Sequence, residues 1–313
     1  GSAATVDVGP AFETTARVNL RTDIWADSVT IENTGSGSAV VNHRGSDHMT
    51  ISADGNAGGI TIRNKSADNA TLVVGLTEDQ KDSGARVAVM DLITYGAPVI
   101  IENQDAAGTV MDIKNHGAIM MQMGNGIPAQ ITGNIFVDNG SQICLTIGGD
   151  GFVHADTLKL TNGSISDIET FGTSTWSNRD GTGNTQAAAD GVGSILSMIA
   201  MGHSTINADG VVSNGAVGGF HSDDYGIRNG DTTITGEGFA YDTRIPSESY
   251  TYINGHGQVN GNQYTKEGAK NTVYVMDDGT LTGNVVSDGV GKLDGTPSVT
   301  MVGSGANAVI NGD

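Results

Sequence analysis

Five residues have the types that acid–base cleavage of a glycosidic bond requires. They are Asn207 and Asp209 in TINADG, Asp223 and Asp224 in HSDDYG, and His256 in INGHGQ. In such a set one carboxylic acid can protonate the leaving oxygen while another carboxylate activates water. The spacing resists this reading. About 14 residues separate Asp209 from Asp223 and about 32 separate Asp224 from His256, whereas residues on stacked elements share a cleft when they lie one repeat apart. The non-catalytic alternative puts Asp223 and Asp224 in solvated turns and His256 in a glycine-rich loop.

A second constellation suits a hard cation. SNRDGTGNTQAAAD places Asn178, Asp180, Thr182 and Asn184 at alternate positions with Gly183 at the sharp turn, the front half of an EF-hand-type loop. Ala189 stands where the bidentate glutamate would complete it, which leaves an irregular oxygen site for Ca2+ as the expectation. The seven histidines lack His-x-x-x-His spacing. Cys144, the only cysteine, sits in the apolar run QICLTI and reads as a small buried hydrophobe. Neither a Gly-x-Ser-x-Gly elbow nor a phosphate loop occurs.

Charge narrows the partners. The 313-residue chain has 15 Lys+Arg against 35 Asp+Glu, a formal net charge of -20, so nucleic acid would be repelled over most of its surface. No apolar stretch approaches the roughly 18 residues of a membrane span. A single cysteine rules out an intramolecular disulfide framework, and an exported protein of bacterial or viral origin fits better than a cytosolic enzyme.

The elements that must position these residues are strands. From residue 28 onward the apolar residues arrive in strand-sized packets, SVTIE, SAVVN, HMTIS, GITIR, TLVVG and their successors, separated by Gly, Asn, Asp and Ser. Forty-seven glycines and 5% aromatics favour stacking of small side chains over the aromatic core of a sandwich. The expectation is an all-β, elongated parallel β-helix, with antiparallel β-sandwich domains as the alternative. Residues 185–202 break the pattern: Ala188, Val192, Ile195, Leu196 and Ile199 share one helical face behind Asp190 as N-cap, which predicts a short helix near 190–201. The chain then divides into a solenoid-like region 1–165, an insertion or cap 166–205 and a second β-rich region 206–313.

FVHADTLKLTNGSISDIETFG and VYVMDDGTLTGNVVSDGVGKLDGTPSVTMVGSGANAVINGD resemble passenger regions of bacterial autotransporter and filamentous adhesins. That resemblance implies an extracellular or cell-surface protein that is structural or adhesive, contacts a glycan or host surface, and associates with itself into an oligomer or fibre. It implies no catalytic residue. Phage tail fibres share the texture, which implies a virion tail as the other location. Asn207, Asp209, Asp223, Asp224 and His256 also resemble the Asn-Thr-Asp, Asp-Asp and Gly-His-Gly motifs of polygalacturonase-type β-helix glycosidases. This second resemblance implies a glycoside hydrolase or phage tailspike acting on an acidic polysaccharide. Of that family's Arg-Ile-Lys motif only Arg244-Ile245 is present, and it precedes the Gly-His-Gly.

Overall fold

The computed structural model describes residues 3–7, 16–20, 23–33, 39–43, 48–53, 59–64, 71–76, 88–94, 97–104, 107–123, 128–288, 299–304 and 309–311. The chain is a parallel β-helix. Each rung contributes a strand to sheets A, B and C in turn, and each strand pairs in parallel with its counterparts one rung before and after. Sheet C stacks eleven strands through ten such pairings. At the usual spacing of about 4.8 Å this makes a body roughly 50 Å long. The antiparallel sandwich is therefore excluded.

Alternation decides which side chains fill the tube. In Gln142–His154 the side chains of Ile143, Leu145 and Ile147 are buried, while Gln142, Cys144 and Thr146 face outward. Cys144 is thus half-buried on the outer face and not in the core, and burial beside Asp167 and Glu169 pushes its thiol up from the ordinary value. Outward rows carry polar ladders: on sheet A, Arg63 lies between Glu32 and Glu102 and bridges to both.

No helix occurs among the described residues. The expected helix is two strands, Thr185–Asp190 and Ile195–Ala200, joined by a turn. Gly191 and Gly193 take φ of 87° and 83°, left-handed values that a right-handed helix cannot contain. The apolar residues bury on a period of two: Ala187, Ala189, Leu196, Met198 and Ala200 go in, while Ile195 and Ile199 face out. The alanines that raised the helical propensity share the core with the fully buried Trp176, whose Nε1 donates to Thr185 Oγ1. Asp190 caps no helix. Its carboxylate accepts from Ser213 Oγ and Asn214 Nδ2, both at 2.7 Å, on the next rung. Strand pairing runs without interruption from 142 to 288, through the segment expected as a cap.

Each corner has its own chemistry. Between sheets B and C the turns Asn139-Gly140-Ser141, Asn162-Gly163-Ser164 and Asn214-Gly215-Ala216 place two successive residues at positive φ, as a type I′ turn does. Serines there bond from rung to rung: Gly163 N donates to Ser194 Oγ at 3.1 Å and Gly215 N to Ser247 Oγ at 2.9 Å. Between sheets A and B, Asn229-Gly230-Asp231, Asn260-Gly261-Asn262 and Thr282-Gly283-Asn284 repeat a Gly-Asx pair. The Asx oxygen accepts the backbone N–H of the Asx one rung on, Asp209 to Asp231 to Asn262 to Asn284, at 2.7–3.0 Å.

Candidate functional surface

The Asp223-Asp224 pair and His256 sit on successive turns of the third corner, from sheet C to sheet A. One residue in each of these turns is left-handed: Gly172, Gly202, Asp224, Gly255 and Asp277 have φ between 53° and 68°. The next residue in each turn forms an outward column, Thr173, His203, Tyr225, His256 and Asp278. Tyr225 stacks on His203 at 5.0 Å and on His256 at 4.7 Å, and His256 Nε2 lies 3.3 Å from Asp278 Oδ2. Gly-His-Gly is therefore one copy of a repeated turn, matched by Gly202-His203-Ser204.

Asp209 is not part of that group. It lies where the strand Thr205–Ser213 passes from sheet A into sheet B, at a different corner. Three residues of extended strand, about 10 Å, separate the two corners on a rung. Its carboxylate is occupied by Asn184 Nδ2 at 2.8 Å, Gln186 Nε2 at 3.0 Å and the N–H of Asp231 at 3.0 Å. Asn207 is one step of an amide ladder, accepting from Asn229, which accepts from Asn260. The structure thus gathers Asp223, Asp224 and His256 on one corner and leaves Asn207 and Asp209 elsewhere, as rung-to-rung fasteners.

The expected calcium ligands lie in an insertion between sheets A and B. Asn178 Oδ1 accepts from the N–H groups of Thr182 and Gly183, at 3.2 and 3.0 Å, and closes the loop on itself. Asp180 is exposed and 3.7 Å from Arg179, while Asn184 turns its amide nitrogen to Asp209. Among the described residues no three His, Cys, Asp or Glu side chains group as metal ligands would.

The outer face of sheet C carries a second aromatic row. His221, Tyr252 and Tyr274 occupy the same register on three consecutive strands, with centroids 4.7 and 4.6 Å apart. Burial lowers the pKa of His221, although Asp223 and Asp167 oppose that effect, and burial beside Tyr274 raises that of Tyr252. Tyr250 donates to Glu248 at 2.9 Å, the main reason its phenol is raised. His203, Tyr225 and His256 stack face to face, as do Tyr252 and Tyr274, while His221 meets Tyr252 edge-on, so both rows act first as ladders along the shaft. On sheet B a shallow groove of about 370 Å³ is lined by Asp112, Phe136, Asp138 and Lys159.

The second insertion is different. Glu237–Ala240 and Thr243–Pro246 form a hairpin at the corner between sheets B and C, the one antiparallel pair among the described residues. Its root is tight: a Cβ on Gly238 would stand 2.2 Å from Asn214 O. Its tip is bare. Phe239 is 65% exposed and Tyr241 fully exposed, with Arg244 bridging Glu237 at 3.5 Å and reaching over the Phe239 ring at 5.8 Å. Sequence reasoning missed these two residues. The signal available was EGFAYDTRIP, two aromatics with an Arg in a chain with few aromatics, bounded by Gly236 and Pro246. No family model, no curated protein and no solved structure matches the chain.

Proposed function

We propose that the chain is a non-catalytic extracellular attachment protein, carried on a bacterial surface or a virion tail. Its β-helix serves as a stiff shaft and the hairpin Glu237–Pro246 as its contact with a glycan or host surface. One observation carries this reading: Phe239 and Tyr241 expose large apolar faces on a projection rooted in a rigid body. Monomeric proteins rarely leave such groups bare without a partner, and aromatics on an ordered hairpin cost little entropy to bind with. Self-association into an oligomer or fibre belongs to the same proposal. The surface charge favours a neutral or cationic ligand over an acidic one.

The test is binding of the intact chain to a panel of immobilised glycans and to cells, with Phe239→Ala/Tyr241→Ala beside the parent. The expected result is at least a tenfold loss of binding with an unchanged melting temperature. Binding that survives the double substitution moves the contact to another surface. The hydrolase reading has one feature in its favour, the clustering of Asp223, Asp224 and His256 at one corner. Release of reducing ends from a polysaccharide, abolished by Asp223→Asn, would replace attachment with catalysis.

A further inference from the structure

Arg228, on the inward side of the sheet A strand Ile227–Asn229, is completely buried inside the tube. Its guanidinium lies 4.3 Å from the Phe220 ring centroid, and Nη2 donates to Thr232 Oγ1 at 2.8 Å and Ala208 O at 3.3 Å. Glycine makes room for this pair: a Cβ on Gly210 would come within 2.6 Å of the Phe220 ring, and one on Gly218 within 3.0 Å. Nε and Nη1 meet no acceptor on the protein. Asp209 and Asp231, the nearest carboxylates felt by Arg228, sit at the A–B corner and spend their oxygens on Asn184, Gln186 and Asn262.

The surroundings make this more than one stray donor. The polar layer that contains Arg228 separates the long apolar core from the second apolar cluster of Ile253, Val259, Val273, Val275 and Leu281. Thr232 pairs in register with Gln263, and Thr251 Oγ1 reaches Gln263 Oε1 at 3.5 Å, so the layer spans sheets B and C opposite Arg228. Gln263 Nε2, Asn271 Nδ2 and the hydroxyls of Ser249 and Thr265 are also buried without a protein partner. Asn271 Oδ1 is likewise unpaired, and the one charge inside this layer, on Arg228, is positive. A guanidinium taken from water with no carboxylate bonded to it is among the costliest groups to bury, and an aromatic face together with the more distant Asp209 and Asp231 offsets only part of that cost.

We infer that the interior of the β-helix at Arg228 is a binding site for a small monovalent anion of the halide type, held by Nε and Nη1 and by amide and hydroxyl donors of the polar layer. Burial lowers the arginine's pKa to about 10, which leaves it charged at neutral pH. An acceptor with no protons of its own matches the unpaired Nε and Nη1 of Arg228 and brings the negative charge that water would not. Three sheets enclose the site, so the anion enters as the rungs close.

The test uses the whole chain, unfolded and refolded in sodium chloride, sodium bromide or sodium gluconate at one ionic strength. At roughly ten times the dissociation constant, chloride and bromide should raise the melting temperature by about 2–3 °C over gluconate. Crystals of the bromide-refolded protein should show an anomalous peak within hydrogen-bonding distance of Nε and Nη1. Arg228→Met, which keeps a chain against Phe220, should abolish the difference between salts. Equal melting of the parent in all three salts, or density at Arg228 without anomalous signal, overturns the proposal and assigns the layer to water.

Discussion

At the residue scale the corners set the tolerances. Gly230 has φ of 124°, and a Cβ there would stand 2.2 Å from the carbonyl oxygen of Ala208, a backbone atom that cannot move aside. Gly230→Ala should therefore cost about 3 kcal/mol or more in denaturant unfolding. Gly219, on the outer face of sheet C, has open space around its missing Cβ and no positive φ. Gly219→Ala should change stability by no more than about 0.5 kcal/mol. Asp138 gives the pH counterpart. Burial pushes its carboxyl up, but hydrogen bonds from Thr161, Asn162 and the N–H of Asn139 outweigh that and leave it below the ordinary value of 3.8. A carboxyl depressed in the folded state stabilises fully above its unfolded pKa and loses that contribution as pH falls through the folded one. Asp138→Ala should cost about 1 kcal/mol at pH 7, a modest figure because the site is partly solvated. That deficit should shrink below pH 3.8 and vanish once Asp138 is protonated in the parent as well. An equal deficit at pH 7 and in strong acid would assign the effect to packing and not to charge.

At the element scale the hairpin can be separated from the shaft. Thr235 stands in register with Ser213, and Glu248 with Val217, yet Ser213 reaches Val217 through Asn214-Gly215-Ala216 alone. Replacing residues 236–246 with Asn-Gly should therefore rebuild an ordinary B-to-C turn. The shortened chain should keep its far-ultraviolet spectrum and melt within a few degrees of the parent, since loop length has a small effect on closure entropy. Loss of the fold would make the hairpin structural. The same comparison explains what was legible. The strand packets announced β structure through their near-alternation, and the small side chains and few aromatics favoured the parallel β-helix over the sandwich. The rung length was hidden, because in-register partners lie anywhere from 20 to 41 residues apart, loop 178–184 and the hairpin being two of the segments that lengthen individual rungs. The Ala-rich stretch at 187–189 mimicked a helix because the tube around Trp176 needs small residues, a tertiary demand that local periodicity does not express. Gly-His-Gly and Asp-Asp stood out as motifs, although their spacing comes from a repeated turn. Phe239 and Tyr241 acquired meaning only when the hairpin was seen to project.

At the scale of the whole molecule the dominant fact is a formal charge of -20 on a body of parallel rungs. Stacking brings backbone positions in register on neighbouring rungs to within about 5 Å, so carboxylates that share an outward row lie closer than in the unfolded chain. Asp209 and Asp231 show how the fold contains this: each carboxylate is bonded to amides and backbone N–H groups of adjacent rungs. The loop of Asn178, Asp180, Thr182 and Asn184 is likewise closed by its own hydrogen bonds. Screening and a specific calcium site then make different predictions. Over a constant 20 mM chloride, raising the ionic strength from about 20 to about 150 mM with sodium gluconate, which brings the screening length from above 20 Å to roughly 8 Å, should raise the melting temperature by about 3 °C or more. Holding chloride constant keeps the anion proposed at Arg228 out of the comparison. Calcium gluconate at the same ionic strength should give the same rise, and a chelator should not reverse it. A rise with calcium that exceeds the sodium curve, saturates near millimolar concentration and disappears in Asp180→Asn would instead establish a specific site in the 178–184 loop, because screening does not saturate and does not depend on one residue.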